Sequence, residues 1–425
     1  MAAIELKFEK FQSPGKGNGL RATSRLSPGD LVYIEEPFAY TVNQNGWGKV
    51  CEFCLCESPH LLQCSRCKFA KYCGKRCQTE AWPDHKKECK CLKSVESEME
   101  ALPVRVVGKI ILKLHQKKPC LSEELYSVSD LVSNFNEQNE ERKITFECLA
   151  VMLHLYLRPE IPDLSQLIPD LNLLEYFAKA FCNQFMIISD TSENVADGLY
   201  LTMSLLNHSC EPNCVTVFKG RHLHLRAIQE IQVGEELTTT YIDPLMTTVE
   251  RQSQLRRKYC FQCDCRRCQM HEEDDKMLSG DKKASEETKD VLNRVKEMQA
   301  QEKWSQSLAL CKVQLKKNIG HLPDENIYQL KILSAAMDAC MPLQMARECL
   351  QYGLRVLEPY RLYYSGFSLM RAFHLRKVGK MQCIIGNKRE GRKNLIEALD
   401  IMKIVYGQDH RETQELMGTL QSFLS

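Results

Sequence analysis

The chain carries Asn207-His208-Ser209-Cys210-Glu211-Pro212-Asn213, then Gly234-Glu235-Glu236 leading into Tyr241, then Cys263-x-Cys265-x2-Cys268. The cysteine of the first block and the three of the last make a four-thiolate set, the donor type of a tetrahedral zinc site. Four thiolates on one Zn2+ leave the cluster at minus two with no open coordination position, so this zinc reads as structural. It would clamp the segment after Tyr241 over the Asn207 loop and bring Tyr259 and Phe261 to it. Tyr241 itself stands at the end of an expected strand, Leu237-Thr238-Thr239-Thr240-Tyr241.

Nearer the front lies a second block, Cys51-x2-Cys54-x9-Cys64-x2-Cys67-x5-Cys73-x3-Cys77-x7-His85-x3-Cys89, with eight ligands for two closed zinc sites. The Asn-His-Ser-Cys segment and the tyrosine resemble the catalytic core of SET-domain protein lysine methyltransferases. With the cysteine block inserted near its front, and with Trp82-Pro83-Asp84-His85 and Tyr259-Cys260-Phe261, the chain is similar to the SET-and-MYND family over nearly its whole length. Interleaved ligation would then pair Cys51, Cys54, Cys73 and Cys77 on one zinc, and Cys64, Cys67, His85 and Cys89 on the other, replacing a core too small to fold alone.

A chain of 425 residues has room for about three domains, each with its own core. A net charge of +2 argues against a protein held on nucleic acid by bulk electrostatics. The longest apolar run, Cys148 to Leu157, is about half of what a membrane span needs, and the N-terminal Met1-Ala2-Ala3-Ile4-Glu5 has an acid where a signal peptide would be apolar. Of the 22 cysteines, twelve positions including His85 are assigned to zinc. Cys56, Cys91, Cys120, Cys148, Cys182, Cys214, Cys260, Cys311, Cys340, Cys349 and Cys383 remain, most of them expected to be small buried apolar residues. Cys91 is not assigned as a ligand. Paired C-x2-C spacing without a signal favours reduced thiolates on metal over disulfides.

The expected fold is α+β and multidomain. Residues 1–48 read as short strands broken by Pro14-Gly15-Lys16-Gly17-Asn18-Gly19 and Ser27-Pro28-Gly29-Asp30. The MYND module takes 49–90, a helical insert 91–182, the catalytic core 183–243, the post-SET zinc segment 244–270 and an all-α domain like tetratricopeptide repeats 271–425. Within the last, Met270 to Thr288 reads as a polar linker or mobile loop, and Asp324 as the N-cap of the helix that follows it. Helical periodicity continues through Leu369 to Ile385 and Leu395 to Val405.

The resemblance implies a cofactor, S-adenosylmethionine, contacted by Lys16, Gly17, Asn18, Tyr126, Asn134, Asn183, Asn207, His208, Tyr241 and Phe261. Lys16 stands where closer relatives can have Arg, which keeps the charge but loses the bidentate fork. Gln184 is larger than the residue common at its position in the family. Methyl transfer to lysine needs a neutral amine, and with a free pKa of about 10.4 that costs roughly 4.6 kcal/mol at pH 7. A dry aromatic channel lowers this cost, and Phe185, Tyr241, Tyr259 and Phe261 are the aromatics expected around it. Tyr241 is the expected catalytic residue, its hydroxyl orienting the amine rather than serving as a full general base, with Phe185 and Tyr259 beside it.

As partners the resemblance implies histone-tail lysines and lysines of signalling proteins as substrates, proline-rich peptides on the MYND module, and residence in cytoplasm and nucleus as a monomer and chromatin regulator. Arg66, Lys68, Lys71, Lys75 and Arg76 invite a DNA reading. Over residues 51–89, seven basic and five acidic side chains, seven thiolates and two Zn2+ sum to about minus one, which favours a protein surface and leaves DNA contact as the lesser reading. The rival to the enzyme is a non-catalytic adaptor recruiting partners through the MYND module and the helical repeats. Such a descendant would be expected to have lost Asn207, His208 or Tyr241, and all three are present.

Overall fold

The computed structural model describes residues 6–94, 98–116, 125–164, 172–189, 193–364 and 366–423, with backbone alone at 98–103 and 116; residues 1–5 and Cys120 lie outside the described residues. Three small sheets each combine strands from before residue 43 and after residue 183. β1 (Phe8–Ser13) and β2 (Gly17–Ala22) form a hairpin whose turn holds Gly15 and Gly17 at positive φ, a region open to glycine without Cβ strain. β2 pairs on its other edge with β12 (Glu236–Thr239), which runs parallel to β9 (Asn207–His208). β3 (Leu31–Glu35) closes a second sheet with β10 (Cys214–Lys219) and β11 (His222–Ala227), and β4 (Ala39–Val42) a third with β7 (Gln184–Ile188) and β8 (Asn194–Leu199). Inward residues alternate, as Leu223, Leu225 and Ala227 do in β11, and one core unites Phe8, Leu20, Phe38, Leu199, Leu225 and Leu237.

The zinc module contributes β5 (Leu62–Gln63), β6 (Lys71–Tyr72) and α1 (Lys75–Lys93), and the insert α2 (Glu98–Gln116), α3 (Glu140–Leu157) and α4 (Leu173–Asn183). A buried ion network joins the two. Arg105 of α2, 1% exposed, donates to both carboxylate oxygens of Glu52 at 3.1 and 3.0 Å and to Glu88 of α1 at 2.8 Å. Paired and hydrogen-bonded in this way, the charges offset their own desolvation, whereas any one left alone would not.

Among the described residues ten helices follow: α5 (Thr248–Tyr259), α6 (Arg266–Met270), α7 (Glu272–Met277), α8 (Lys282–Ala300), α9 (Trp304–Lys317), α10 (Ile327–Cys340), α11 (Ala346–Tyr363), α12 (Leu369–Ile384), α13 (Lys388–Val405) and α14 (Arg411–Ser422). Two sequence expectations fail here. The stretch expected to be a linker, Met270 to Thr288, is largely helical with a break at residues 278–281, because its polar residues are used internally. Asp281 caps α8 through the Ala284 N–H, Ser285 accepts from Asn326, and buried Thr288 receives hydrogen bonds from Gln314 and Asn318. The cap of α10 is Asn326, whose side chain accepts from the Tyr328 and Gln329 N–H groups, while Asp324 pairs with Arg355 at 2.6 Å. Cys148 and Cys56 are exposed rather than buried, and Cys182 and Cys260 half-buried. α12 to α14 pack on the outer side of the second sheet around Val215, Val217 and Ile228.

Glu35 ties this frame to the Asn207 loop. Buried in β3, it accepts the Thr202 and Met203 N–H groups at 2.9 Å each, at the start of a single 3-10 turn, Met203–Leu205, that delivers Leu206 and Asn207. Burial pushes its carboxyl up to about 7 from an ordinary 4.5. The folded state therefore holds an extra proton between those values, so this part of the stability is present below the lower one and lost as pH rises through the higher. Glu35→Gln is expected to abolish that slope, roughly 2–3 kcal/mol between about pH 5 and pH 8. Urea midpoints at the two pH values read it, and an unchanged slope assigns the titration to another group.

Candidate functional site: two cavities meeting at Tyr241

The Asn207 loop is stitched to β12 by side chains as well as backbone. Asn213 accepts the Thr238 N–H at 2.9 Å and donates to the Glu236 carbonyl at 2.8 Å, and the Ser209 N–H reaches the Thr239 carbonyl at 2.9 Å. β12 ends at Thr239, so Tyr241 lies just beyond it. Its backbone N–H donates to Nδ1 of His208 at 3.0 Å. That bond leaves the imidazole proton on Nε2, which faces the Cys210 sulfur at 3.4 Å. Burial, helped by the nearby cations Lys16 and Arg251 and opposed by Cys265, pushes His208 down to about 4, so the ring is neutral at pH 7. The Tyr241 hydroxyl donates to the Leu206 carbonyl, and burial raises its pKa. It is a neutral phenol whose proton is already committed, with its oxygen lone pairs free to accept.

Three ligand clusters assemble as the spacing predicts: Cys51, Cys54, Cys73 and Cys77; Cys64, Cys67, His85 and Cys89; Cys210, Cys263, Cys265 and Cys268. In each, the four ligand atoms lie within 4.8 Å of one another. Four convergent sulfur or nitrogen donors fit a closed tetrahedral Zn2+. Cys91 stays outside, its thiol donating to the Lys87 carbonyl. Partners behind the ligands were not legible in the sequence. His85 turns Nε2 toward Cys67 and Nδ1 toward Glu88, each at 3.7 Å, and Glu88 is the carboxylate that Arg105 holds. Behind the third cluster Arg251, 1% exposed, approaches the Cys268 sulfur at 3.8 Å and donates to the Met246 carbonyl and Thr248 hydroxyl. Its charge offsets that of the thiolates. Such second-layer contacts orient ligands and tune the metal. Arg105 interrupts the apolar run Val104 to Val107, which could have flagged it; Arg251 carries no such signal.

Two cavities adjoin at Tyr241. One, of about 280 Å³, is lined by Lys16, Asn18, Tyr126, Asn134, Asn183, Asn207, His208, Tyr241 and Phe261, with Tyr259. Of the residues expected to contact a cofactor, only Gly17 is absent from its wall; Gly15 of the same turn stands there instead. The second, of about 390 Å³, is lined by Phe185, Tyr241 and Tyr259, by Met203, Ser204 and Leu206, and from the C-terminal helices by Leu369, Met370 and Phe373. Tyr241 and Tyr259 stand between them with ring centres 4.8 Å apart. Phe261, expected around the channel, belongs to the smaller cavity alone, because the left-handed Cys260 that ends α5 turns the chain away after Tyr259. Gln184 lines the larger cavity.

Hydrogen bonding decides what the smaller cavity offers. Asn207 donates to the Asn18 carbonyl and Glu236, Asn183 to the Val132 and Lys179 carbonyls, and Asn134 to the Tyr259 carbonyl. The amide protons of Asn207 and Asn183 are thus spent, and their oxygens remain as acceptors. Lys16 supplies positive charge at the rim, moderated by Glu236 at 3.7 Å and Asp264 at 4.0 Å. Acceptors suited to an ammonium, a cation suited to a carboxylate and the rings of Tyr126 and Phe261 together fit an amino-acid zwitterion joined to an aromatic group.

The SET domain family matches residues 17–242. The chain is 47% identical over 416 residues to the histone-lysine N-methyltransferase SMYD3 of Mus musculus, covering 98% of this chain and 97% of that one. It is 46% identical to the Homo sapiens SMYD3, with the same coverage. The N-lysine methyltransferase SMYD2 of Gallus gallus is 32% identical over 97% of each chain.

Proposed function

The chain belongs to the SMYD family of SET-domain lysine methyltransferases, and from that premise we propose that it methylates lysine side chains of proteins using S-adenosylmethionine. The observation that carries the reading is the junction of the two cavities at Tyr241 and Tyr259. S-adenosylmethionine, when bound, supplies an electrophilic methyl group on sulfur. Lys16 would face its carboxylate, the Asn183 and Asn207 oxygens its ammonium, and Tyr126 and Phe261 its adenine end. Phe185, Tyr241 and Tyr259 exclude water from the lysine amine, which must shed its proton to solvent before it can react, at a cost of about 4.6 kcal/mol that desolvation reduces. The Tyr241 oxygen accepts a hydrogen bond from that amine and aims its lone pair. The three zinc clusters hold structural Zn2+ and take no part in the chemistry.

The proposed substrates are histone tails and signalling proteins, met in both nucleus and cytoplasm; among the described residues no helix is long and apolar enough to cross a membrane. The MYND module is proposed to take proline-rich peptides in preference to DNA. Domain boundaries are proposed after residues 48, 90, 182, 243 and 270. Calorimetry of S-adenosylmethionine on the zinc-loaded protein tests the reading. One-to-one binding, weakened about tenfold or more in Asn207→Ala by loss of an acceptor to a charged group, is the expected result. No binding by folded protein would transfer the proposal to a non-catalytic adaptor.

A further inference from the structure

α3 of the helical insert is apolar on two sides. Phe146, Leu153, Tyr156 and Leu157 are buried on the inner side. On the outer side Ile144, Val151 and Leu155 are 57%, 64% and 60% exposed, with exposed Cys148 between them. Ordinary surface helices turn a polar face outward. The spacing of four, three and four residues keeps these side chains in a stripe about 60° wide on a 3.6-residue helix and matches the seam of a two-stranded coiled coil.

The charges beside the stripe say what covers it. One flank carries Glu140 and Glu147 in the first half of the helix and His154 and Arg158 in the second. Turning the helix end for end about a two-fold axis near residues 149 and 150 sets Ile144 against Leu155 and Cys148 against Val151. The same rotation sets Glu147 against His154 and Glu140 against Arg158, so apolar meets apolar and acid meets base on one side of the seam. A parallel pairing would instead set this charged flank against the opposite one, where Thr145 and Met152 offer its charges no partner. Among the described residues only Glu140 of these four has an ion-pair partner, Lys143 at 3.0 Å.

We propose that the outer face of α3 is a self-docking surface through which two copies of the chain associate, their α3 helices antiparallel. The contact is isologous, so it closes at two copies. One helix face falls short of the roughly 1,200 Å² of a standard interface, so the association is weak, with a Kd of about micromolar or above. The protein is then a monomer when dilute, as expected from its sequence, and a dimer where concentrated. No residue of α3 lines either cavity at Tyr241, so pairing leaves the site open.

Sedimentation of the full chain across about 1 to 500 µM, the range of weak interfaces, is the test. The average mass is expected to rise toward two chains in the natural protein and to stay at one chain in Val151→Glu. Glu147→Lys and His154→Glu should each raise the Kd about fivefold, and the double variant should return it to within about twofold. Circular dichroism and S-adenosylmethionine binding, unchanged in all variants, exclude misfolding. A one-chain mass at every concentration overturns the proposal, as does an association that survives Val151→Glu. Single-variant losses that the double variant fails to restore also overturn it, because they refute the antiparallel apposition of Glu147 and His154.

Discussion

Tyr241→Phe is expected to lower kcat by about 10²–10³-fold, the usual cost of removing one preorganised polar group from a reacting centre, with the Kd for S-adenosylmethionine within about threefold of normal. The hydroxyl donates its proton to the Leu206 carbonyl, so its oxygen can only accept, and the group placed to donate to it is the lysine amine. Phenylalanine retains the ring contacts with Tyr259 and His208, at 4.8 and 5.2 Å between centres, so the partition between the cavities persists. The variant leaves the Leu206 carbonyl without its partner, a cost of about 1–3 kcal/mol to stability. Single-turnover kinetics beside calorimetry separate the two effects. Near-normal turnover would remove Tyr241 from catalysis. Because burial raises the phenol's pKa, ionisation of Tyr241 should leave no limb in the pH–rate profile near neutrality.

Replacing Cys210 with alanine should reduce bound zinc from three per chain to two and weaken S-adenosylmethionine binding by about 100-fold or more, a fraction of the roughly 10–16 kcal/mol that structural zinc contributes in small zinc-dependent folds. Cys210 is the only one of the four ligands on the Asn207 loop; the other three follow α5. Without the metal, Tyr259 and Phe261 lose their clamp over His208, and Arg251 is left facing fewer thiolates. Other contacts keep the flap nearby, among them Gln252, bonded to both backbone groups of Cys263 at 2.7 and 2.9 Å, Asn134 on the Tyr259 carbonyl and Gln138 on the Cys260 sulfur. The rest of the fold should survive, because the core around Leu20 and Leu237 shares no residue with the cluster. Elemental analysis and calorimetry on the same preparation check both quantities; normal cofactor affinity at two zincs per chain would refute the clamp.

Much of the metal chemistry and of the split sheet is legible in the sequence, for a physical reason. Zinc ligands must be particular atoms at short range, so the C-x2-C and C-x-C spacings declare their sites, and all twelve positions converge as that spacing predicts. Strands of period two and turns carrying glycine mark the split sheet domain, since alternation is what a half-buried strand requires. Helices on either side of residue 280 are harder to read. The segment from Met270 to Thr288 is hydrophilic, yet Asp281 caps its own helix, and Ser285 and Thr288 find partners on Asn326, Gln314 and Asn318, residues up to 41 positions away. Hydropathy cannot register a polar residue whose partner is remote.

The sequence by itself determined the metal ligands, because they rest on local spacing and on a residue type only one chemistry uses, while the residues expected around Tyr241 came through the family resemblance that those motifs carry. Tertiary structure alone decided which cavity each aromatic faces, which amide protons of Asn183 and Asn207 are spent, which arginines neutralise buried carboxylates and thiolates, and that α3 turns an apolar stripe outward. Those are matters of hydrogen-bond direction and of burial. Both are set by groups brought together from distant parts of the chain.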